Sequence, residues 1–356
     1  MKIAILGAGN VALANAFFLA DSGHDIHLWS AFVDEVDSII EAGGIVCEGV
    51  LSGRATITAS HDVSACIDGA EIVMIAAPAF GHRALMEAAG PHVSADQTIV
   101  IHPVTGLSSM IMSRIVKDRG IRPTIVDLST SLFTTRKRGA TTVHVLRIKN
   151  VIDMATLPAD RGVRALGLLN DVYGDRFRLE SNVLAISLDN HNPVYHVPPL
   201  LCNLSRAEKQ ENWVVWEGIT PGVSKFIKLV DDERLAVVRR FGTTEIPVEQ
   251  YFRQSFGVEG ETLDDIFPAM ATKLKGPVGP QEFNHRFITE DVPYALVFFH
   301  ALGEVAGVEM PITKSLITIT SALYERDFVA EGHTLAALGL NGYSFDGILQ
   351  MATEGF

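Results

Sequence analysis

The first twenty residues constrain the fold of this chain more than any other stretch. A short apolar segment over residues 2–6 is followed by a glycine-rich turn and then by an apolar run of helical spacing over 13–20. The turn reads Gly7-Ala8-Gly9-Asn10-Val11-Ala12. Strand, glycine turn and helix in this order are typical of the first βαβ unit of a dinucleotide-binding fold.

The glycine turn predicts a pyrophosphate site. Gly7 permits the sharp turn after the strand, and Gly9 has no Cβ, so a phosphate can approach the N–H groups at the positive end of the helix dipole. Ala12 takes the place of a third glycine, where strand and helix pack closely. We therefore expect Gly7, Gly9, Asn10, Val11 and Ala12 to bind the cofactor, NAD(H) or NADP(H); a purely structural turn is the alternative.

The end of the second predicted strand, residues 25–29, decides between the two cofactors in this fold. An Asp or Glu there favours the free ribose 2′-hydroxyl, and a nearby Arg favours the 2′-phosphate. This chain has Ser30 at that position, and Asp34 follows about one helical turn later. We expect Ser30 to contact the cofactor, but it leaves the choice between NAD and NADP open.

Further strand ends also offer candidate contacts. Pro78 follows the strongest apolar run of the chain and would shape a loop at the carboxyl edge of the sheet, so we include it among the cofactor contacts, with a simple strand terminator as the alternative. His102 precedes Pro103 on the same edge and is interpreted as a structural loop histidine. The hydroxyl-rich stretch 129–135 is a candidate for substrate contact.

The apolar pattern divides the chain into two domains. Up to about residue 181, strand-like and helix-like segments alternate, which predicts a doubly wound, mostly parallel α/β sheet. Beyond it, apolar residues recur at helical spacing and strand-like alternation disappears. We predict a dinucleotide-binding domain over 1–182 and an all-helical substrate domain over 183–356, with the substrate bound between them.

Charge and cysteine content narrow the class of protein. The formal net charge of −13 argues against nucleic acid as a partner. Three widely spaced cysteines predict neither disulfides nor a metal site and fit the cytoplasm. Because the first predicted strand starts at residue 2, we expect no signal peptide. We also expect no membrane helix, since no stretch reaches the ~18–20 apolar residues that one needs. We expect small-molecule partners; a homodimer is left open.

The first chemically suggestive cluster in the helical half lies over residues 190–199. It contains three prolines, at positions 193, 198 and 199. Helix interiors tolerate proline poorly, so we predict a helix that is kinked or broken near Pro193 and ends near Pro198. His196 lies at this irregularity, where its imidazole could face a ligand, although an isolated histidine more often has a structural role.

The second cluster lies over residues 284–293. Asp291 stands just before Pro293 and a long apolar run, which is a good helix N-cap position. Arg286 could form a surface ion pair, yet a planar guanidinium is also the best side chain for bidentate binding of a carboxylate. His196, Asp291 and Arg286 together would supply a general acid, its orienting carboxylate and a carboxylate anchor.

The sequence resembles the octopine/nopaline (opine) dehydrogenase family over residues 2 to about 350, in both domains and in the same order. The matching motifs are Gly7–Leu13, Asn192-Pro193 with His196, Glu217–Pro221, Asp232–Arg234, Asn284–Arg286 leading to Glu290–Val292, and Gly332–Leu340. The resemblance implies that His196 and Asp291 are catalytic and that Arg286 binds substrate carboxylate. In one departure from the family pattern, Val197 separates His196 from Pro198.

The resemblance also implies a reaction. An NAD(P)H-dependent enzyme of this type condenses the α-amine of an amino acid with a 2-oxo acid, such as pyruvate, and reduces the product to an N-(carboxyalkyl)amino acid. Two alternatives remain. One is a reductase of a plain 2-oxo acid or ketone, whose relatives use a lysine of the helical domain; Lys225 and Lys228 lack the matching context. The other is a nucleotide-binding sensor without turnover.

Overall fold

The structure of the protein is a computed structural model, which describes residues 1–274 and 278–356. The chain forms two compact units, one of residues 1–187 with 346–356 and the other of residues 188–345. The C-terminal segment 346–356 thus packs with the first unit, whereas the predicted division assigned it to the helical domain. The predicted boundary at 182/183 stays a prediction.

The first unit contains the twelve strands that occur in the described part of the chain. Their bounds are β1 Lys2–Leu6, β2 Asp25–Trp29, β3 Ile45–Gly49, β4 Gly53–Ala55, β5 Thr58–Ser60, β6 Ile72–Ile75, β7 Thr98–Ile101, β8 Thr124–Leu128, β9 Phe133–Lys137, β10 Thr142–Ile148, β11 Ile152–Leu157 and β12 Phe177–Leu179. Eight form one sheet in the order β12-β11-β8-β7-β6-β1-β2-β5, and four form a second in the order β4-β3-β10-β9.

The large sheet positions the glycine turn. β1 lies between β2 and β6 and is parallel to both. The chain therefore leaves β1 towards one side and later returns to the other, and ligands bind at such a switch point beyond the carboxyl ends of the strands. The sheet is not wholly parallel, because β11 is antiparallel to β8 and β12 follows the direction of β11.

Helices complete the first unit and form the second. In the first unit they are α1 Asn10–Asp21, α2 Val33–Ala42, α3 Val63–Ile67, α4 Ala79–Ala89, α5 Ser109–Asp118, α6 Gly162–Tyr173 and α7 Val183–Leu188, the last residue of which is assigned to the second unit. The second unit has α8 Asn192–Cys202, α9 Leu204–Glu208, α10 Pro221–Phe241, α11 Val248–Phe256, α12 Leu263–Leu274, α13 Arg286–Thr289, α14 Val297–Ala306, α15 Pro311–Tyr324 and α16 Phe328–Glu331; α17, Phe345–Glu354, ends the chain. Short 3₁₀ turns occur at Ala159–Arg161 and Val215–Gly218, and Val292–Leu296 is a π-helix.

The two predicted classes of structure are confirmed. The first unit is α/β, and its central strands β1, β6 and β7 are almost fully buried, as their continuous apolar runs indicate. The described part of the second unit is helical apart from one isolated bridge between Val214 and Val278. Among the helices that the structure describes, none has the length and hydropathy to cross a bilayer.

The prediction for residues 190–199 is wrong in part. α8 begins at Asn192 with Pro193 in its first turn, where a missing N–H costs nothing, but it then continues through Pro198 and Pro199 to Cys202. Residues 193–200 are all buried, and α8 packs against α10 and α13. Tertiary packing therefore keeps the segment helical despite the two N–H groups that its prolines lack.

Candidate active site

Gly7 occupies a position that only glycine fits. Its φ is +122°, and a Cβ on it would lie 2.4 Å from the carbonyl oxygen of Ala76. Its N–H donates to the carbonyl oxygen of Trp29 at 2.7 Å, which fixes the turn at the end of β1. Close approach of the backbone to the neighbouring strand end therefore explains the first glycine of the motif.

The start of α1 fits a dinucleotide. Gly9 is the N-cap residue, no side chain caps the helix, and a Cβ built on Gly9 meets nothing within 4 Å. Asn10 is exposed, Val11 is half-buried, and Ala12 is fully buried against the strand side, as its small size suggests. Open space beside uncapped N–H groups at a helix N-terminus is the arrangement that binds pyrophosphate.

Ser30 is buried and engaged in a network that the sequence did not indicate. Its hydroxyl donates to Oε2 of Glu35 at 2.7 Å. The Lys137 ammonium contacts Oε1 of the same carboxylate at 2.8 Å and donates to the carbonyl oxygen of Ala8 at 2.9 Å. Asp34, the acid that follows Ser30 first in sequence, is exposed. An acidic group thus does reach the end of β2, and it is Glu35.

Pro78 and His102, which follow two other strands of the large sheet, differ in their exposure to solvent. Pro78 is exposed and is the N-cap residue of α4. His102 is fully buried, and its Nε2 accepts a hydrogen bond from the N–H of Leu132 at 3.0 Å. Burial lowers the pKa of His102 to about 3, so the ring is neutral and has a structural role within the first unit. The hydroxyl-rich stretch 129–135 partly forms β9.

The structure brings His196 and Asp291 together, although they are 95 residues apart in sequence. Nδ1 of His196, on α8, lies 2.7 Å from Oδ2 of Asp291. The imidazole stacks on the ring of Phe287, with centroids 3.6 Å apart and an interplanar angle of 9°. Tyr195 meets the imidazole edge-on at 4.5 Å. One ring nitrogen is thus fixed by a carboxylate and the ring plane by an aromatic neighbour, which leaves Nε2 for a reacting group.

Asp291 does not act as a helix cap. It stands before the π-helix Val292–Leu296, has helical backbone angles and makes no side-chain capping bond. Its carboxylate accepts from the imidazole instead. The π-helical turn also forms a hydrogen bond with a distant segment: the carbonyl oxygen of Pro293 accepts the N–H of His333. π-helical turns occur frequently at functional sites, where they direct a side chain away from the regular spacing.

Arg286 begins α13, and its side chain is 59% exposed. Nη1 lies 3.6 Å from Oε2 of Glu290, which is an ion pair across one helical turn. The guanidinium also lies 5.6 Å from the centroid of the Phe287 ring. Arg286 therefore lies near the same Phe287 ring on which the imidazole stacks, and much of its side chain is open to solvent, where it could bind a soluble carboxylate.

Electrostatics favour a neutral imidazole in this pair. Burial lowers the pKa of His196 well below 6.5; the charge of Arg286 adds to this effect and that of Glu290 opposes it. Burial also raises the pKa of Asp291 to about 7, against the effect of Arg286. With the carboxyl ionised, Nδ1–H donates to it and the lone pair resides on Nε2, which is the form of a general base.

Other histidines, large aromatic residues and Lys228 of the second unit have hydrogen bonds, ion pairs or ring contacts of their own. His191 donates from Nε2 to the carbonyl oxygen of Ile246, and His285 accepts the N–H of Phe287 at the start of α13. Trp216 and Tyr251 belong to clusters of aromatic side chains. Trp213 is buried, donates from Nε1 to the carbonyl oxygen of Pro280 at 3.2 Å and lies beneath the guanidinium of Arg206. Lys228 pairs with Asp232 at 3.0 Å. Sequence reasoning assigned no role to Phe287 or Glu290, although Phe287 directly follows Arg286 and Glu290 lies one helical turn after it.

Comparisons with known proteins identify the family of this chain. A family model described as NAD/NADP octopine/nopaline dehydrogenase, alpha-helical domain, matches residues 179–324, and an NAD-dependent glycerol-3-phosphate dehydrogenase N-terminus model matches residues 2–129. An opine dehydrogenase of Arthrobacter sp. (strain 1C) is 31% identical over 97% of both chains. The octopine dehydrogenase of Pecten maximus is 22% identical over 93% of this chain and 92% of its own.

Solved structures share the fold over the whole chain. An octopine dehydrogenase structure has a TM-score of 0.83 at 20% identity and covers 98% of both chains. A yersinopine dehydrogenase structure has a TM-score of 0.73 at 15% identity and covers 99% of this chain and 96% of its own. With the full-length relative at 31% identity, the chain belongs to the opine dehydrogenase family of NAD(P)-dependent oxidoreductases.

Proposed function

We propose that His196, Asp291 and Arg286 carry out the family reaction in this chain. That reaction is the NAD(P)H-dependent reductive condensation of an amino acid with a 2-oxo acid. The observation that supports the assignment most is the 2.7 Å contact between Nδ1 of His196 and Oδ2 of Asp291, buried beside the partly exposed Arg286. A carboxylate, an oriented imidazole and a carboxylate-binding cation are the side chains that this chemistry needs.

His196 would transfer the proton of the reaction through Nε2. In the reductive direction the imidazolium donates a proton to the oxygen or nitrogen of the reacting centre, and in the oxidative direction the neutral ring accepts it. Asp291 would hold the tautomer with the proton on Nδ1 and stabilise the imidazolium when it forms. The stacked Phe287 restricts the ring plane, so that the proton moves along a fixed direction.

Arg286 would bind the carboxylate of the 2-oxo acid. Its fork of N–H donors matches two carboxylate oxygens, and this contact orients the carbonyl carbon before hydride transfer. The ion pair with Glu290, at 3.6 Å, restrains the guanidinium without enclosing it.

We propose that the cofactor binds at the glycine turn and at two further strand ends. The residues are Gly7, Gly9, Asn10, Val11, Ala12, Ser30 and Pro78. When bound there, the reduced nicotinamide supplies the hydride. The octopine dehydrogenase structures that share this fold hold NADH with L-arginine, with agmatine and with pyruvate. We accordingly propose pyruvate or a similar 2-oxo acid and an α-amino acid as the substrates of this chain.

For location we propose the cytoplasm. Cys47, Cys66 and Cys202 are all unpaired, which suits a reducing compartment. The proposed reaction also needs a reduced nicotinamide cofactor, an amino acid and a 2-oxo acid, which a compartment that houses central metabolism would supply.

The test is an NADH and NADPH oxidation screen in which several 2-oxo acids are each combined with the common amino acids. We expect oxidation to require both an amino acid and a 2-oxo acid, and mass spectrometry to show the N-(carboxyalkyl)amino acid. Equal rates with the 2-oxo acid alone would favour a plain reductase instead. Nucleotide binding without turnover on any pair would favour a sensor.

A further inference from the structure

The network around Ser30 bears on the choice of cofactor, which the sequence left open. We propose that Glu35 makes this enzyme selective for NAD(H), and that Glu35 also keeps Lys137 from binding the 2′-phosphate of NADP(H). The inference rests on the proposed placement of the cofactor at the glycine turn, and it does not depend on His196, Asp291 or Arg286.

The first observation is where the Glu35 carboxylate lies. It accepts the hydroxyl of Ser30, the residue that directly follows β2, and the adenosine ribose contacts this strand end in the fold. The side chain is 26% exposed, so it is anchored but not covered. A carboxylate has about four lone-pair directions, of which Ser30 and Lys137 take one each. It can therefore accept a ribose 2′-hydroxyl as well.

The second observation concerns Lys137. Its ammonium is held between the Glu35 carboxylate at 2.8 Å and the carbonyl oxygen of Ala8, inside the glycine turn, at 2.9 Å. The backbone N–H of Lys137 also donates to the side chain of Asn10. The cation that could neutralise a 2′-phosphate is thus close to the nucleotide site, but Glu35 already neutralises it. A phosphate at this point would face an anion first.

The third observation is an exposed apolar surface beside the same strand end. Phe32 is 71% exposed and Val33 is 59% exposed, although both are large hydrophobic residues. The N–H of Phe32 donates to the hydroxyl of Ser30 at 3.2 Å, so this surface is fixed relative to the network. An aromatic ring open to solvent at the adenosine end offers a stacking surface for adenine.

The test measures dissociation constants for NADH and NADPH by titration calorimetry, without amino acid or 2-oxo acid. For the wild-type protein we expect NADH to bind at least about tenfold more tightly than NADPH, the scale of one hydrogen bond to a charged group. The fragments 5′-AMP and adenosine 2′,5′-bisphosphate should compete with NADH in the same order. Equal or tighter binding of NADPH by the wild type would overturn the proposal.

Variants separate the two roles. Glu35→Gln frees Lys137, so the NADPH dissociation constant should fall about tenfold or more while that of NADH does not improve. Adding Lys137→Met to Glu35→Gln should remove this gain. Asp34→Asn is the matched control, because it removes an exposed carboxylate from the same helical turn and should leave the ratio of the two constants unchanged.

The outcomes remain distinct from those that test the reaction. If Glu35→Gln left the ratio of the NADH and NADPH dissociation constants unchanged, or if Asp34→Asn changed that ratio equally, the selectivity proposal would be overturned. The competition by the two adenosine fragments in wild-type protein decides the matter even if a variant does not fold. If the wild-type protein bound neither NADH nor NADPH, the proposed cofactor site itself would be contradicted.

Discussion

At the scale of single residues, the site depends on how burial acts on two titratable groups that share a hydrogen bond. Burial alone disfavours charge on both His196 and Asp291, and Arg286 opposes protonation of either one. The pair therefore takes up protons as one unit near and below neutral pH rather than as two independent groups. This behaviour should be visible in kinetics.

The pH dependence of the oxidative direction follows from these shifts. Oxidation of the N-(carboxyalkyl)amino acid needs a neutral His196 and an ionised Asp291, so kcat/KM should fall as the pH drops through a midpoint no higher than about 7. Asp291→Asn should lower kcat/KM and displace this limb, because asparagine does not titrate. A midpoint well above 8, or an identical limb in Asp291→Asn, would show that other groups govern the profile.

Arg286→Lys tests the carboxylate anchor. An ammonium cannot form the forked contact, so we expect KM for the 2-oxo acid to rise about tenfold or more with a smaller change in kcat. Steady-state kinetics at saturating amino acid and cofactor measure both constants. Arg239→Lys is the control, because Arg239 is also an exposed arginine in an ion pair, with Glu245 at 2.9 Å. An unchanged KM in Arg286→Lys would remove this residue from the site.

At the scale of elements, the π-helix that follows Asp291 depends on a close backbone contact. A Cβ on Gly332 would lie 2.1 Å from the carbonyl oxygen of Pro293 and 2.7 Å from that of Phe328. The backbone of this glycine therefore packs directly against the turn that directs Asp291 towards His196. Neither contact involves a flexible side chain that could move aside.

Gly332→Ala should therefore destabilise the protein and disturb the His196–Asp291 pair. We expect a loss of about 1–3 kcal/mol in the free energy of unfolding, the usual cost of overpacking, together with a lower kcat. Gly222→Ala is the matched control, since a Cβ there meets nothing within 4 Å and alanine is the better helix former. Thermal unfolding and kinetics of both variants check this; equal stability of the two would contradict the packing argument.

Elements also show what sequence patterns can and cannot predict. Apolar runs and the glycine turn identified β1, α1 and the helical half correctly, because local spacing determines them. The pairing of β3 with β10 joins residues almost a hundred positions apart, and no local pattern indicates it. Pro198 and Pro199 misled the prediction for α8 because its burial was not visible. The contact of Glu35 with Lys137 was not predicted either, because the two residues are far apart in sequence.

At the scale of the whole molecule, buried neutral histidines make stability depend on pH. Burial lowers the pKa of His82 to about 4 and that of His102 to about 3. Unfolded histidines bind protons as the pH falls through about 6.5, whereas these two remain neutral in the folded state, so stability decreases from there downwards. Asp127 and Asp291, whose pKa values are raised to about 7, act in the opposite direction between about 7 and their unfolded values.

His102→Gln isolates one of these contributions. Glutamine keeps an acceptor for the N–H of Leu132 but does not titrate, so the variant should be less stable than the wild type at pH 7 and lose less stability on acidification. The difference in the free energy of unfolding between the wild type and His102→Gln should shrink by up to about 1.4 kcal/mol for each pH unit below 6.5. Urea unfolding at pH 7 and pH 5 measures it, with the exposed His92→Gln as control. A difference independent of pH would contradict this account.

His196, with Nδ1 held 2.7 Å from Oδ2 of Asp291, is the residue to which we assign the proton transfer of the reaction. The most direct measurement is single-turnover oxidation of bound NADH by His196→Gln, mixed rapidly with a 2-oxo acid and an amino acid, with the exposed His92→Gln as control. We expect the rate to fall by about 10²–10⁴-fold while the NADH dissociation constant stays within threefold of the wild-type value. A rate close to that of the wild type would contradict this assignment.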